Sequence, residues 1–190
     1  MSSQNKLGAR VSQLRQERQL SVEQLAEQSG CEAEQIRQLE AGALVPSLTP
    51  LMNICRALGV RLGTLLDDEP HEGPAVVKKG DAAEVIRFSG KDPQADRSKL
   101  DFFALGAGKK DRHMEPFVIE VQPLEADAPL SSHEGEEFLY ILDGTVEVVH
   151  GRDRYRLEAG ESIYYDSVVP HDVHAVDGPA RMLAVVYTPA

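Results

Sequence analysis

The apolar residues of this 190-residue chain keep two different periods, and the change falls in one charged stretch rich in Pro and Gly. Before it they recur at helical spacing, as in Leu7, Val11 and Leu14 at i, i+4 and i+7. After it they alternate, every second residue apolar, in short runs separated by turn text. A helical stripe is buried by packing helix on helix, and an alternating strand by packing sheet on sheet. A chain that holds both is expected to fold as two units. The helical unit is expected over residues 1–66, a linker "DDEPHEGPAVVKKG" over 67–80, and an all-β unit over 81–190.

Five helices are legible in the first unit. Ser21 with Gln24 three residues on has the spacing of a capping box. Gly30 breaks the pattern, and the next helix runs from about residue 32 to 41, with Ile36 and Leu39 on one side and Gly42 just past its end. Ser47 is placed to cap a fourth helix, where Pro50 is tolerated in the first turn because the N–H groups there have no intrahelical acceptor. Gly59 ends that helix, and "VRLGTLL" makes a short fifth. In the second unit, strands are expected at 84–88, 100–105, 117–121, 138–142, 145–149, 155–157, 162–165, 173–176 and 182–187. Many short strands at close spacing point to a small antiparallel barrel or jelly roll.

Composition narrows the function classes. No apolar run is long enough to span a membrane, and the N-terminus "MSSQNKLGAR" has no apolar core of a signal peptide, so a cytoplasmic protein is expected. Cys31 and Cys55 lie among apolar neighbours and are expected as reduced, buried thiols. The net charge of −11 is carried by the second unit, since residues 1–66 hold seven Lys or Arg against six Asp or Glu. Any attraction to a polyanion must therefore be local to one helical face.

A short helix, a turn containing glycine and a second helix form a helix-turn-helix, whose second helix can enter a DNA major groove. The segment from Leu7 to Leu66, with Leu20-Ser21, Leu25-Ala26, Gly30, Ile36, Leu39-Glu40, Gly42, Pro46-Ser47 and Ala57-Leu58-Gly59, closely resembles the Cro/C1-type (XRE) helix-turn-helix family. The resemblance implies an internal ion pair between Arg15 and Glu40. It carries DNA contact onto Val22 at the start of the second helix, and onto Ala33, Glu34, Arg37 and Gln38 of the third. Arg10 and Arg18 are candidates for backbone contact. Glu32 and Glu34 are unusual for a surface facing phosphate, although Glu can accept from cytosine N4. The alternative is a helical bundle kept for dimerisation or as a lid over the second unit.

In the second unit, His133 and Glu137 share parity with Ser131, Leu139 and Ile141, which in a strand puts all five on one face. Pro170-His171 follows after the glycine of "GESIYY". Two imidazoles and one carboxylate suit Fe(II), Mn, Ni or Zn and leave coordination positions open. His174 has the opposite parity to His171, and His71, His113 and His150 sit in linker or turn text, so these four are expected at the surface. Phe117, Leu139, Ile141 and Tyr164 are expected as barrel filling, and Phe117, Leu139 and Ile141 with Ser131 as the lining of an effector pocket.

These residues resemble the cupin superfamily over about residues 76–190. Glu137 and Gly144 keep the spacing of its first motif and Gly160 and His171 mark its second, while Ser131 replaces one of four ligand histidines. The resemblance implies a three-ligand divalent metal site at His133, Glu137 and His171. The whole then resembles bacterial transcription regulators with a cupin domain: homodimers that bind double-stranded operator DNA and a small-molecule effector, with no catalytic residues. Two alternatives stand beside it. One is a metal-free barrel acting in dimerisation. The other is a mononuclear non-haem metal enzyme, a cupin oxygenase or isomerase, of the kind found in HTH–cupin epoxidases whose helical part covers the active site. The positions that serve the phosphonate substrate in those epoxidases are here Gln19, Phe103, Leu105 and Leu130, which cannot pair with a phosphonate.

Overall fold

The computed structural model describes residues 3–44, 46, 48–66, 72–79, 84–87, 100–109, 112–123 and 130–189. Five helices come first: α1 (Ser3–Glu17), α2 (Val22–Ser29), α3 (Ala33–Glu40), α4 (Leu48–Ala57) and α5 (Leu62–Leu66). Nine strands follow: β1 (Glu84–Arg87), β2 (Leu100–Ala104), β3 (Met114–Val121), β4 (Glu136–Asp143), β5 (Thr145–His150), β6 (Asp153–Glu158), β7 (Ser162–Asp166), β8 (His171–Ala175) and β9 (Ala180–Tyr187). The layout is α + β in two parts, an all-α bundle and an all-β double sheet. Among the described residues no helix is long and apolar enough to cross a membrane.

The helix ends follow their local chemistry. Ser21 Oγ accepts from the Gln24 N–H while the Gln24 side chain accepts from the Ser21 N–H, so the capping box at α2 is complete. Gly30 closes α2 in the left-handed region, and Gly42 lies one residue past the Ala41 cap of α3. Glu32 stands at the N-cap of α3 but makes no capping bond, so that helix starts less firmly held. Ser47 and His71 lie outside the described residues, as do Phe88 and residues 67–71 and 80 of the expected linker; residues 72–79 hold no helix or strand.

Leu7, Val11 and Leu14 of α1 pack with Leu25, Ile36, Leu39, Leu51 and Ile54 in the helical core. Arg15 locks the bundle from outside this core. Its Nε and Nη2 donate to Glu40 at 2.6 and 2.7 Å, and Nη1 donates to the Leu20 carbonyl at 2.8 Å. The pair joins α1 to the end of α3, as the resemblance implied. Both cysteines are free; Cys55 is buried and Cys31 half-buried.

The strands form a six-stranded antiparallel sheet in the order β1-β2-β3-β9-β4-β7 and a three-stranded sheet in the order β6-β5-β8. Burial alternates along β3, β4 and β9, so Phe117, Ile119, Val121, Leu139, Ile141, Met182, Ala184 and Val186 face the second sheet. Val146, Val148 and Ala175 answer them from β5 and β8. Strand periodicity placed these rows correctly. Tyr164 is a correction: it is 63% exposed and donates to Glu136 on the outer face, and Tyr165 is the residue of that pair that enters the core.

The two parts meet at Glu115. This β3 residue is buried, accepts from Arg112 Nε at 2.7 Å, and accepts the backbone N–H of Gly63 in α5 at 3.0 Å. A first-turn helix N–H has no intrahelical acceptor, so the second domain supplies the carboxylate for the first domain's helix. A side chain at Gly63 would begin 2.6 Å from Arg112 Nη2. A side chain there would have to displace the guanidinium, so glycine suits the close approach. A second, exposed contact runs from Arg56 Nη1 at the end of α4 to Glu134 at 2.8 Å.

Candidate metal centre and nucleic-acid interface

Three segments bring the His/Glu/His set together. Glu137 opens the buried row of β4, His171 is the first residue of β8, and His133 precedes β4 in a bend. Strand parity explains Glu137 with Leu139 and Ile141, but not His133, because residues 134 and 135 are not extended strand. The bend depends on Gly135, at φ 113°, where a Cβ would stand 1.9 Å from the Tyr187 carbonyl oxygen. Two backbone bonds lace this bend to the turn after β7: His133 N–H donates to Ser167 O at 3.0 Å, and Ser167 N–H to Gly135 O at 2.9 Å. Ser131 exchanges both backbone bonds with His171, at 2.9 and 2.8 Å. Its half-buried hydroxyl leans toward the His171 carbonyl, 3.5 Å away.

The side chains converge on Glu137 Oε1. His133 Nε2 is 2.7 Å from it and His171 Nε2 3.5 Å, with the imidazole centroids 5.3 Å apart. All three residues are buried, and one potential ligand atom from each lies within 4.8 Å of the others. Each imidazole is oriented from behind. His133 Nδ1 donates to Glu134 O at 3.1 Å, and His171 Nδ1 donates to Val169 O at 2.9 Å. With those protons on Nδ1, both Nε2 lone pairs face a carboxylate oxygen, and acceptors packed this closely need a positive charge between them. Protons on Nε2 can supply it, and so can one divalent cation. The donor set therefore fits a metal, through His133 Nε2, His171 Nε2 and Glu137.

The electrostatics agree with the geometry. Burial alone would raise the Glu137 carboxyl, but its contacts with His133 and His171 outweigh burial and hold it well below the usual carboxylate range. Burial would lower His171, yet the facing carboxylate raises it above the ordinary imidazole value. Tyr165, which pairs with Glu137 across β4 and β7, donates its hydroxyl to Glu137 Oε2 at 2.7 Å and stacks near His171. Its own hydroxyl is pushed far up, first by burial and then by the Glu137 charge. Ser167 Oγ stands 3.4 Å from Glu137 Oε1. Sequence reading missed both residues, because only the pairing of β4 with β7 reveals them.

Of the remaining histidines, His113 is exposed. His174 points away from the cluster, as its parity required, but it is half-buried and bound to Asp172 at 2.8 Å, with Glu147 at 3.4 Å. His150 is also half-buried, against the Tyr165 ring and the Asp166 carbonyl. The expected pocket residues Phe117, Leu139 and Ile141 are buried in the sheet core, on the same side as Glu137.

On the helical domain, Glu34, Arg37 and Gln38 are exposed on α3, whereas Val22 and Ala33 are half-buried against the bundle core. Arg37 is already engaged: Nη2 donates to Glu23 at 2.5 Å and Nη1 to Glu34 at 3.4 Å. Gln38 Nε2 donates to Glu34 at 3.2 Å. The side chains able to read bases are thus tied to two carboxylates on the same surface. Arg10 is half-buried, with its Nε buried and without a hydrogen-bond partner, and Arg18 is exposed and donates to the Leu14 carbonyl.

Comparison with known proteins matches both parts. Residues 10–71 match the Cro/C1-type HTH DNA-binding domain, and residues 117–186 match the Cupin domain. The chain is 25% identical over 185 residues to the HTH-type transcriptional regulator PuuR of Escherichia coli (strain K12), covering 96% of this chain and 94% of that protein. It is 28% identical over 159 residues to the (S)-2-hydroxypropylphosphonic acid epoxidase of Streptomyces wedmorensis, covering 77% and 76%. The crystal structure of an HTH_3 family transcriptional regulator from Vibrio cholerae superposes with a TM-score of 0.68 at 20% identity, over 98% of this chain and 97% of that one, and shows the shared fold. Residues 10–71 are thus a Cro/C1-type helix-turn-helix domain and residues 117–186 a cupin domain.

Proposed function

We propose that this protein is a DNA-binding transcriptional regulator, a cytoplasmic homodimer whose cupin domain binds a small-molecule effector beside a divalent metal. The observation that carries the reading is the near end-to-end similarity to an HTH-type transcriptional regulator. The exposed row Glu34, Arg37 and Gln38 on α3 gives that helix the groups for base contact, flanked by Val22 and Ala33. His133, Glu137 and His171 hold the metal, for which Fe, Mn, Ni and Zn are all chemically suited. A metal bound there supplies open coordination positions to an oxygen or nitrogen donor of the effector. Ser131, in place of a fourth ligand, keeps one side open, and Phe117, Leu139 and Ile141 form the apolar wall. The effector alters DNA affinity only to the extent that it prefers one of two protein states.

Selection of genomic fragments by the purified protein tests the reading, followed by mobility shift on the enriched site. A palindromic site with steep salt dependence is expected. Replacement Arg37→Ala is expected to weaken binding by about 1–3 kcal/mol at a base contact. Failure to enrich any fragment refutes the regulator, and unchanged binding by Arg37→Ala refutes the assignment of α3 contacts.

The second reading is a mononuclear non-haem metal enzyme whose helical domain covers the site. The 28% identity to an epoxidase and the His/Glu/His cluster favour it. Against that particular reaction stand Gln19, Phe103, Leu105 and Leu130 at the positions expected to serve a phosphonate. Metal-dependent consumption of dioxygen that is lost in His133→Ala without loss of fold would establish an enzyme.

A further inference from the structure

Glu134 touches both domains with different atoms. Its backbone carbonyl accepts the Nδ1–H of His133, and its carboxylate accepts from Arg56 in the last turn of α4. We infer that Glu134 is a positioning residue that couples occupancy of the His133/Glu137/His171 cluster to the helical domain. The inference rests on the cluster being a metal site, and its regulatory meaning rests on the helical domain binding DNA.

The coupling follows from how the histidine must be held. The nitrogen that faces Glu137 is Nε2, so a metal taken there requires the proton on Nδ1 and the Glu134 carbonyl as its acceptor. Ligation and the orientation of the peptide at 134 are then one event. The next residue cannot absorb a rotation: Gly135 is pinned against Tyr187, and its carbonyl accepts from Ser167. A change at His133 is therefore passed outward, along the Glu134 side chain to Arg56. Arg56 ends a helix whose Leu51 and Ile54 are buried in the bundle core, and α4 packs on α2, the helix ahead of α3.

The Glu115 and Glu134 contacts between the domains differ in character, and the difference suits a switch. Glu115 with Arg112 and Gly63 is buried and acts as the pivot. Arg56 and Glu134 remain 53% and 58% exposed, so their contact breaks and forms at little cost. An exposed ion pair supplies a coupling of up to about fivefold in affinity, and by linkage metal and DNA then alter each other's affinity by the same factor.

The test uses the full chain with Co2+ as the probe, whose visible absorbance reports binding, and hydrogen exchange of α4 as the readout. Wild type, Arg56→Ala, Glu134→Ala and the double variant are compared. Glu134→Ala keeps the backbone carbonyl and hence the support of His133. Wild-type protein is expected to show slower exchange in the last turn of α4 when Co2+ binds. Both single variants are expected to lose that effect, with no further loss in the double variant and Co2+ affinity within about fivefold of wild type. Bound Co2+ without a change in α4 exchange, or a change that persists in Arg56→Ala, overturns the coupling and leaves the metal site standing. Absence of Co2+ binding removes the metal reading and the coupling together. A Co2+ effect lost in the variants, in a protein that selects no DNA, upholds the coupling and refutes the regulator.

Discussion

Replacing Glu115 by Ala tests how the two domains are joined. The substitution leaves the Arg112 guanidinium, whose side chain is 8% exposed, without this carboxylate, and removes the acceptor of the Gly63 N–H. Breaking one side of a buried ion pair costs about 3–5 kcal/mol, because the remaining charge stays out of water. With a urea dependence of about 2 kcal/mol per molar, the transition midpoint falls by roughly 2 M. Far-UV circular dichroism follows the helices, and tyrosine emission follows the β domain, where all five tyrosines lie. The helical signal is expected to separate from the tyrosine signal in the variant, since the substitution removes a buried bond that joins one domain to the other. Replacing Arg112 and Glu115 together by Met is expected to recover most of the stability, because neither charge of the pair then has to be buried. A midpoint shift below about 0.5 M in Glu115→Ala would refute the argument, on the same urea dependence. So would a double variant no more stable than the single one.

Other expectations follow from the His/Glu/His cluster. Tyr165→Phe keeps the ring against His171 but removes the donor to Glu137 Oε2, and is expected to weaken metal binding about 10- to 100-fold, measured by competition with a chelator. The pH dependence has opposite signs with and without metal. In metal-free protein the raised His171 contributes stability that is full below its ordinary value of 6.5 and is lost as pH rises through its folded value. The lowered Glu137 contributes stability that is full above its ordinary value of 4.5 and is lost as pH falls toward its folded value. The pair thus stabilises metal-free protein most between those two ordinary values. Metal binding needs neutral imidazole, so the rise in melting temperature on adding metal is expected to grow from pH 6 to pH 8; a rise independent of pH would exclude His171 as a ligand.

What could be read from the chain alone was whatever depends on near neighbours in it. The capping box at Ser21 and Gln24, the alternating rows of β3, β4 and β9, and the change of period between helices and strands all come from spacing. The Arg15–Glu40 pair was legible for another reason, since the family resemblance carries it. All three residues of the His/Glu/His cluster were legible through the family resemblance, but strand parity alone reaches only part of it. Glu137 lies on the predicted face of β4, but His133 arrives by a bend at Gly135 that alternation cannot foresee. Tyr165 and Ser167 were missed because β4 pairs with β7, and that pairing sets which of two adjacent tyrosines turns inward. Glu115 was hidden for a third reason. It continues the buried row of Phe117 and Ile119, but a carboxylate is at home in such a row only when a donor meets it there. Its donors are Arg112, three residues before it, and the Gly63 N–H, which only the fold brings from a helix 52 residues away in the chain.

Gly63 carries a consequence for the exchange of parts between proteins. Helix-turn-helix domains are commonly regarded as interchangeable heads, to be grafted onto one sensor or another. Here the head and the cupin domain share a lock: a bare backbone at Gly63 and a buried acid with its arginine on the cupin side. A grafted head that carries a side chain at this position would press on the Arg112 guanidinium, which would have to shift for the helix N–H to keep its bond to Glu115. Exchange of such a head therefore calls for matching this one residue to the arginine and the acid that it meets.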